Sequence, residues 1–344
     1  MLAAYFLPPS KKLDKRALQV VYCILTFNVV ELVYFFKIPE KGGTCMKGIP
    51  VTLEIAAVTD IGRRRASNED NFFVNGAFID HYKVKAERFE SVDTEEVHVL
   101  AVCDGMGGLS DGDVAAMIGV TTLSDYADEL QTIRTGEDAS FTANRIVRTA
   151  NDRILKKIKK NGKKMGSTFA MLVATVDCLY ACNLGDSEIF IKTQFGMERL
   201  SKPQTFAQEL ADSGAIPENQ TTRFYGRNQL SKYLGMDNIK ALKPNECSAE
   251  IRTGDILLIC SDGVSDVLAS HSIYATLSSD RPVSEIADTL IEKALRKNGG
   301  DNMTVVIARV MDDGRMTRLR KMMGIVLGVT AGVVILAVLL FGIL

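Results

Sequence analysis

One short pattern recurs along this chain and limits what it can become: a run of apolar residues set against an acidic turn. Leu100 to Cys103 run into Asp104-Gly105-Met106-Gly107-Gly108. Residues 256–260 run into Ser261-Asp262-Gly263, and residues 179–184 into Gly185-Asp186-Ser187. Asn68-Glu69-Asp70 precedes Phe72-Phe73-Val74, and Gly299-Gly300-Asp301-Asn302 precedes the Val- and Ile-rich residues 303–310. Apolar runs this short, with no polar face, predict buried strands. The glycines let the backbone turn sharply and bring carbonyls close to whatever the neighbouring acid holds. A lone Asp-Gly is an ordinary turn. Five acidic turns at strand ends are a different matter, because carboxylates gathered in one place raise one another's pKa and persist comfortably only with cations among them.

The rest of the domain reads as strands with helices between them. Residues 53–58, 72–78 and 97–103 predict strands, with the polar stretch 80–96 as a turn or hairpin excursion. Asp111 and Asp113 stand where a helix N-terminus favours acids, ahead of a helix over 114–130. A second helix over 141–160 carries Ile146, Val147, Ala150, Ile154, Leu155 and Ile158 on one stripe. Residues 168–176, 179–184 and 188–193 form a meander. Val283, Ile286, Ala287, Leu290, Ile291, Ala294 and Leu295 repeat at helical spacing, and Asn298-Gly299 ends that helix. Two helices among strands and a third late in the chain fit an α+β fold of two packed antiparallel sheets with helices outside. Residues 201–235 differ in character, with Pro203, Gly214, Pro217 and Gly226 punctuating a weak helix over 205–212.

Charge and sulfur exclude several classes. With 41 Lys and Arg against 42 Asp and Glu there is no basic excess to attract nucleic acid. The 7 Cys include no Cys-x-x-Cys pair, as in a reducing compartment, and Cys103 and Cys260 lie in apolar text as small buried residues. His81, His98 and His271 are too isolated for a His/Cys zinc site. Of the three, His98 lies nearest the strand leading to Asp104. No Cys-x5-Arg loop supports nucleophilic catalysis by a cysteine.

The chain divides into an extension (1–50), a globular domain (51–312), a basic linker (313–321) and a terminal apolar segment (322–344). The last contains no charge, and about 20 apolar residues suffice to cross a membrane. Arg315, Arg318, Arg320 and Lys321 precede it, which predicts a transmembrane anchor with the domain in the cytosol. Residues 18–36 are apolar but interrupted by Gln19, Asn28 and Glu31. They read either as a membrane segment or as an extension ahead of a start at Met46.

Taken together, the acidic turns resemble the metal-dependent Ser/Thr protein phosphatases of type 2C, in their bacterial form. The matching residues are Thr59-Asp60-Ile61-Gly62 with Arg65, Asn68, Glu69 and Asp70, then Asp104-Gly105-Met106-Gly107-Gly108 and Gly166-Ser167-Thr168. Asn183-Leu184-Gly185-Asp186-Ser187, Ser261-Asp262-Gly263 with Asp266, and Gly300-Asp301-Asn302-Met303-Thr304 complete the set in order. The resemblance implies a four-layer αββα sandwich and two Mn²⁺ or Mg²⁺ ions. It implies that Asp70 and Asp104 bridge or flank the ions, with the Gly105 carbonyl, Asp262 and Asp301 completing the shells. Glu69 would orient water, and Asp186 and Asp266 match positions that hold a third, weaker ion. Arg65 would bind phosphate with its planar fork. Water activated by the metals would attack phosphorus directly.

The resemblance also marks 201–235 as a variable flap beside the site. Departures from the family pattern lie there and nearby: Glu188 where Arg is frequent, Ser201-Lys202-Pro203-Gln204 in place of a Thr-x-Asp-His text, and Lys232 where Arg is common. Met106 supplies no acid for the leaving group. The implied activity is hydrolysis of phosphoserine and phosphothreonine in phosphoproteins at the membrane, opposing a Ser/Thr kinase. The alternative is a pseudophosphatase that binds phosphoproteins without turnover, against which the intact Asp70, Asp104, Asp262 and Asp301 argue.

Overall fold

The uninterrupted apolar runs are strands buried on both faces. In the computed structural model, which describes residues 50–107, 111–176 and 178–312, Val51–Asp60 forms β1, Asp70–Val74 β2, Ala77–Phe78 β3, Ala86–Glu95 β4 and His98–Met106 β5. After helices α1 (Gly112–Asp125), α2 (Ala127–Leu130) and α3 (Gly136–Asn161) come β6 (Gly166–Ser167), β7 (Phe169–Ala174), β8 (Cys178–Leu184), β9 (Glu188–Thr193) and β10 (Gly196–Arg199). The chain continues through α4 (Phe206–Asp212), a 3₁₀ helix (Glu218–Arg223), β11 (Asn245–Glu250), β12 (Ile256–Cys260), α5 (Asp262–Ser265), α6 (Ser270–Leu277), α7 (Val283–Lys297) and β13 (Met303–Val310).

Two antiparallel sheets result. One has the order β10-β9-β12-β13-β1-β4; the other runs β11-β8-β7-β5-β2-β3, with β6 added to β5. Side chains alternate across a strand, so each central strand serves two cores. Leu53, Ile55 and Ala57 of β1 and Leu257 and Ile259 of β12 face the other sheet, where Leu100, Val102 and Leu172 meet them. The intervening Ala56, Val58, Leu258 and Cys260 pack outward against Ile273 of α6 and Ile286 and Leu290 of α7. On the far side, Val99, Ala101 and Cys103 of β5 pack against Val120 of α1 and Ile146, Val147 and Ile154 of α3. Three stacked cores between four layers are the αββα sandwich expected from the sequence.

Four local expectations are corrected. The polar stretch 80–96 contains β4, which pairs with β1 along ten residues from Val51↔Glu95 to Asp60↔Ala86. As an edge strand it needs few apolar residues, and only Phe89 of its side chains joins the inter-sheet core. Residues 72–78 are not one strand but a hairpin, turned at Asn75 (φ 48°) and Gly76 (φ 98°). That Asn-Gly pair is the usual signal for a two-residue turn with both φ positive. The helix expected over 114–130 is interrupted at Tyr126 (φ −101°, ψ 10°). The helix expected from 141 starts at Gly136, because Thr135 and Asp138 form a capping box.

Among the described residues no helix is long and apolar enough to cross a membrane. The apolar segments 18–36 and 322–344, the linker 313–321, and Gly108 of the glycine loop lie outside the described residues.

Candidate active site

The acidic turns come together because of strand register. Asp70 opens β2 and stands directly opposite Asp104 on β5, so both carboxylates emerge at the same end of one sheet. On the other sheet, β12 ends at Cys260 opposite Val305 of β13, which places Asp262 and Asp301 at that sheet's corresponding end. Asp186 lies in the turn from β8 to β9, after Gly185 (φ 102°). Asp266 caps the short helix α5 that Asp262 begins.

Asp70 is buried and held by two hydroxyls. Its Oδ2 accepts hydrogen bonds from Ser261 Oγ (2.8 Å) and Thr304 Oγ1 (2.7 Å). Its Oδ1 is buried with no protein partner. Burial pushes the Asp70 carboxyl up to about 6, against the pull of the two hydroxyls. Asp104 donates its backbone N–H to Thr168 Oγ1 (2.9 Å). Burial raises its carboxyl well above the usual range, and Asp70, Asp262, Asp186 and Asp301 raise it further. Asp262 is raised in the same way, by burial and then by Asp186 and Asp301. Asp186 is pushed to about 7 by burial and by Asp266.

Backbone fits tightly around these groups. Gly105 donates its N–H to the Glu69 carbonyl (3.1 Å). A Cβ on Gly105 would collide with the carbonyls of Gly112 and Glu69. A Cβ on Gly112 would strike the Glu69 carboxylate, so that side chain lies against the start of α1. Burial, only partly offset by Arg65, pushes Glu69 to about 7. The loop after β1 is tied to the loop before β13: Arg63 N donates to the Gly299 carbonyl (2.8 Å). Arg65 Nη2 then reaches Asp301 Oδ2 at 2.7 Å on the exposed rim. That hydrogen bond keeps the proton on the guanidinium.

Several residues that carry the resemblance acquire roles that sequence reasoning did not assign. Asn302 Oδ1 accepts from Glu69 N (2.9 Å), while its Nδ2 donates to the carbonyls of Ile61 (2.9 Å) and Ser67 (3.0 Å). Asn68 Nδ2 donates to Thr59 Oγ1 (2.9 Å), and Thr59 and Thr304 share a hydroxyl hydrogen bond of 2.7 Å. The one signal for Thr59 and Thr304 in sequence is a polar residue inside otherwise apolar strand text, and for Asn68 and Asn302 a place beside an acid in an acidic turn. His98 proves structural: it is buried, with Nε2 2.8 Å from the Val51 carbonyl and Nδ1 3.0 Å from Asn75 Nδ2.

Among the described residues no three His, Cys, Asp or Glu side chains converge tightly enough to hold an ion alone. Any cation must draw on backbone carbonyls and water as well as carboxylates, an all-oxygen donor set suited to Mg²⁺ or Mn²⁺. The orphaned Asp70 Oδ1 and the mutual repulsion of Asp104, Asp262 and Asp186 fit such a group.

Comparison with known proteins agrees with this geometry. The family model described as Protein phosphatase 2C matches residues 85–300. The serine/threonine protein phosphatase PstP of Mycobacterium tuberculosis is 29% identical over 269 residues, covering 78% of this chain and 47% of that protein. The chain therefore spans about half the length of that relative. The serine/threonine phosphatase stp of Listeria innocua is 29% identical over 263 residues, covering 75% of this chain and 96% of that protein. A crystal structure of the catalytic domain of PstP in complex with 2 manganese ions superposes with a TM-score of 0.61 at 29% identity, covering 76% of this chain and all of that one.

Proposed function

Because the chain belongs to the protein phosphatase 2C family, we propose that it hydrolyses phosphoserine and phosphothreonine in proteins, with two Mn²⁺ or Mg²⁺ ions as cofactors. The observation that carries this reading is the convergence of Asp70, Asp104, Asp186 and Asp262 at the sheet ends, each raised by burial and by neighbouring carboxylates. So many carboxylates in a protected site are stable as anions only beside cations. Asp104, the Gly105 carbonyl, Asp262 and Asp301 would hold the two ions. Asp186 and Asp266 would hold a third, weaker one. When bound, the ions supply an activated water and neutralise charge on the phosphoryl group.

The remaining roles belong to the chain itself. Arg65 offers two parallel N–H donors to phosphate oxygens at the rim, held in place by Asp301. Asp70, anchored through Ser261 and Thr304, keeps one oxygen available for water or cation. Glu69, fixed through its backbone by Asn302, presents a carboxyl that orients water beside the glycine loop.

Substrates would be phosphoproteins, and the reaction opposes a Ser/Thr kinase. The domain would act at the cytosolic face of a membrane, anchored by residues 322–344. Their freedom from charge and the basic residues Arg315, Arg318, Arg320 and Lys321 before them support this location. Phosphate release by the full chain from a phosphothreonine peptide, with Mn²⁺, Mg²⁺ or chelator, beside Asp262→Asn, tests the activity. Release is expected only with metal and only from the parent protein. Release that persists in chelator, or none from folded, manganese-loaded protein, overturns the reading. Extraction of the full chain from membranes by alkaline carbonate would overturn the anchor.

A further inference from the structure

The flap segment 201–235 is tied at its base to the strands that build the site. Gln204 exchanges hydrogen bonds with Gly185: its N–H donates to the Gly185 carbonyl (2.9 Å) and its Oε1 accepts from Gly185 N (3.1 Å). At the other end, Leu234 N donates to the Ser167 carbonyl (2.8 Å). Between these ties the segment carries α4, the 3₁₀ helix and an exposed turn at Phe224 and Tyr225, the latter 97% exposed. Directly after that turn, Arg227 Nη2 lies 3.3 Å and Asn228 Nδ2 2.8 Å from the same atom, Asp266 Oδ2. Asp266 in turn raises the carboxyl of Asp186. The adjacent Glu188 is already met by Arg199 at 2.8 Å. The acidic edge formed by Asp186, Glu188 and Asp266 is thus served by two of the chain's own arginines, one of them on the flap.

We propose that Arg227 and Asn228 latch the flap onto Asp266 and compete with a divalent ion for that carboxylate, so that filling the weakest metal position releases the flap. The inference rests on the phosphatase reading for the existence of that position. An Asp266 Oδ2 that accepts two hydrogen bonds has little lone-pair capacity left for a cation, and a guanidinium beside it repels one. By linkage, whatever weakens the ion when the latch is closed must weaken the latch when the ion is bound. Arg227 and Asn228 act on the reaction through Asp266 and the flap, as positioning residues. The flap would close at low metal concentration and open, carrying Tyr225 with it, at high concentration.

The test combines Mn²⁺ binding isotherms with hydrogen exchange of residues 218–235, on the full chain, for the parent, Arg227→Ala and Arg227→Lys. In chelator, Arg227→Ala should exchange faster across this segment than the parent. In the parent, exchange should rise at the Mn²⁺ concentration that fills the weakest class of sites, above the concentration that fills the tighter ones. Arg227→Ala should bind that weakest Mn²⁺ about 5- to 10-fold more tightly, the low end of typical coupling because the pair is exposed. Arg227→Lys, which keeps the charge but not the fork, should fall between. Asp266→Asn should lose the weakest class and open the flap at every metal concentration. Unchanged weak-site affinity in Arg227→Ala, or flap exchange indifferent to Mn²⁺ in the parent, overturns the latch while intact tight sites leave the phosphatase reading standing. Absence of tight Mn²⁺ sites in the parent overturns both.

Discussion

Arg65 Nη2 lies 2.7 Å from Asp301 Oδ2, so the fork proposed to bind phosphate is held by a carboxylate that the family resemblance assigns to metal. The two side chains are half and more than a third exposed, and an exposed pair contributes at most about 1 kcal/mol to stability. Arg65→Ala should therefore leave thermal unfolding nearly unchanged. Its effect should appear as a rise in KM for a phosphothreonine peptide of roughly 10- to 100-fold, the loss of about 1.5–3 kcal/mol of charge-assisted hydrogen bonding. Arg65→Lys should recover part of it. Steady-state kinetics at saturating Mn²⁺ decide the matter: an unchanged KM with weaker metal binding would mean that Arg65 serves Asp301 and not the substrate.

Asp262→Asn separates chemistry from folding. The amide has the shape of the carboxylate but not its charge, and Asp262 is held well above its ordinary range by burial, Asp186 and Asp301. In chelator the variant should melt at a higher temperature than the parent, because one repelling charge is gone. With Mn²⁺ it should lose activity by roughly 10³-fold, as sites deprived of one preorganised charge do. A protein that is more stable and yet inactive cannot have lost activity by unfolding. Differential scanning calorimetry with and without metal would show it; a lower melting temperature in chelator would contradict the repulsion argument.

The acidic turns were legible because they sit between strands buried on both faces, whose side chains leave an unbroken apolar signature. β5 shows why: Leu100 and Val102 enter one core while Val99, Ala101 and Cys103 enter another. β4 was not legible, since an edge strand covers the sheet with Arg88, Ser91 and Asp93 among its ten residues and carries no such run. The scaffold behind the carboxylates was hidden for a different reason. Thr59 and Thr304 meet only because β1 and β13 pair in one register across 245 positions, and no local pattern encodes that pairing. The contact of Arg227 with Asp266 joins the flap to α5 across 39 positions and depends on how the flap folds back.

Metal-free protein should lose stability as pH rises. Glu69 is shifted from 4.5 to about 7, Asp70 from 3.8 to about 6 and Asp186 from 3.8 to about 7, with Asp104 and Asp262 also raised. Between the ordinary and the raised values the folded state holds protons that the unfolded chain has released. Stability from these groups is therefore fully present below about pH 4 and is lost as pH climbs through 6 to 7. His98, whose pKa burial lowers, acts oppositely by charging only in the unfolded chain below about pH 6.5, but it is one group against five. Mn²⁺ should reverse the trend, adding about 2.7 kcal/mol at a hundredfold excess over its dissociation constant and more at pH 8 than at pH 5.5. Melting curves across this range with chelator or Mn²⁺ test it. A metal-free protein that gains stability from pH 5.5 to pH 8 would contradict the assigned burial.

The support beneath Asp70 predicts a pH-dependent coupling. Ser261 Oγ and Thr304 Oγ1 both donate to Asp70 Oδ2, and both bonds favour the ionised carboxyl. Ser261→Ala or Thr304→Val alone leaves one donor, at a cost of about 1–3 kcal/mol each. Removing both leaves a buried carboxylate with an orphaned Oδ1 and an unsupported Oδ2, so the double variant should lose more than the sum of the singles, by about 0.5–3 kcal/mol. The losses should shrink at pH 5, where Asp70 is largely protonated and the donors matter less, and grow at pH 8. Loss of packing alone would be indifferent to pH, so chemical denaturation of the four proteins at the two pH values in chelator distinguishes the causes. With Mn²⁺ present the acid limb of the activity profile should move upward in both single variants, since each has lost a donor that lowered the Asp70 pKa.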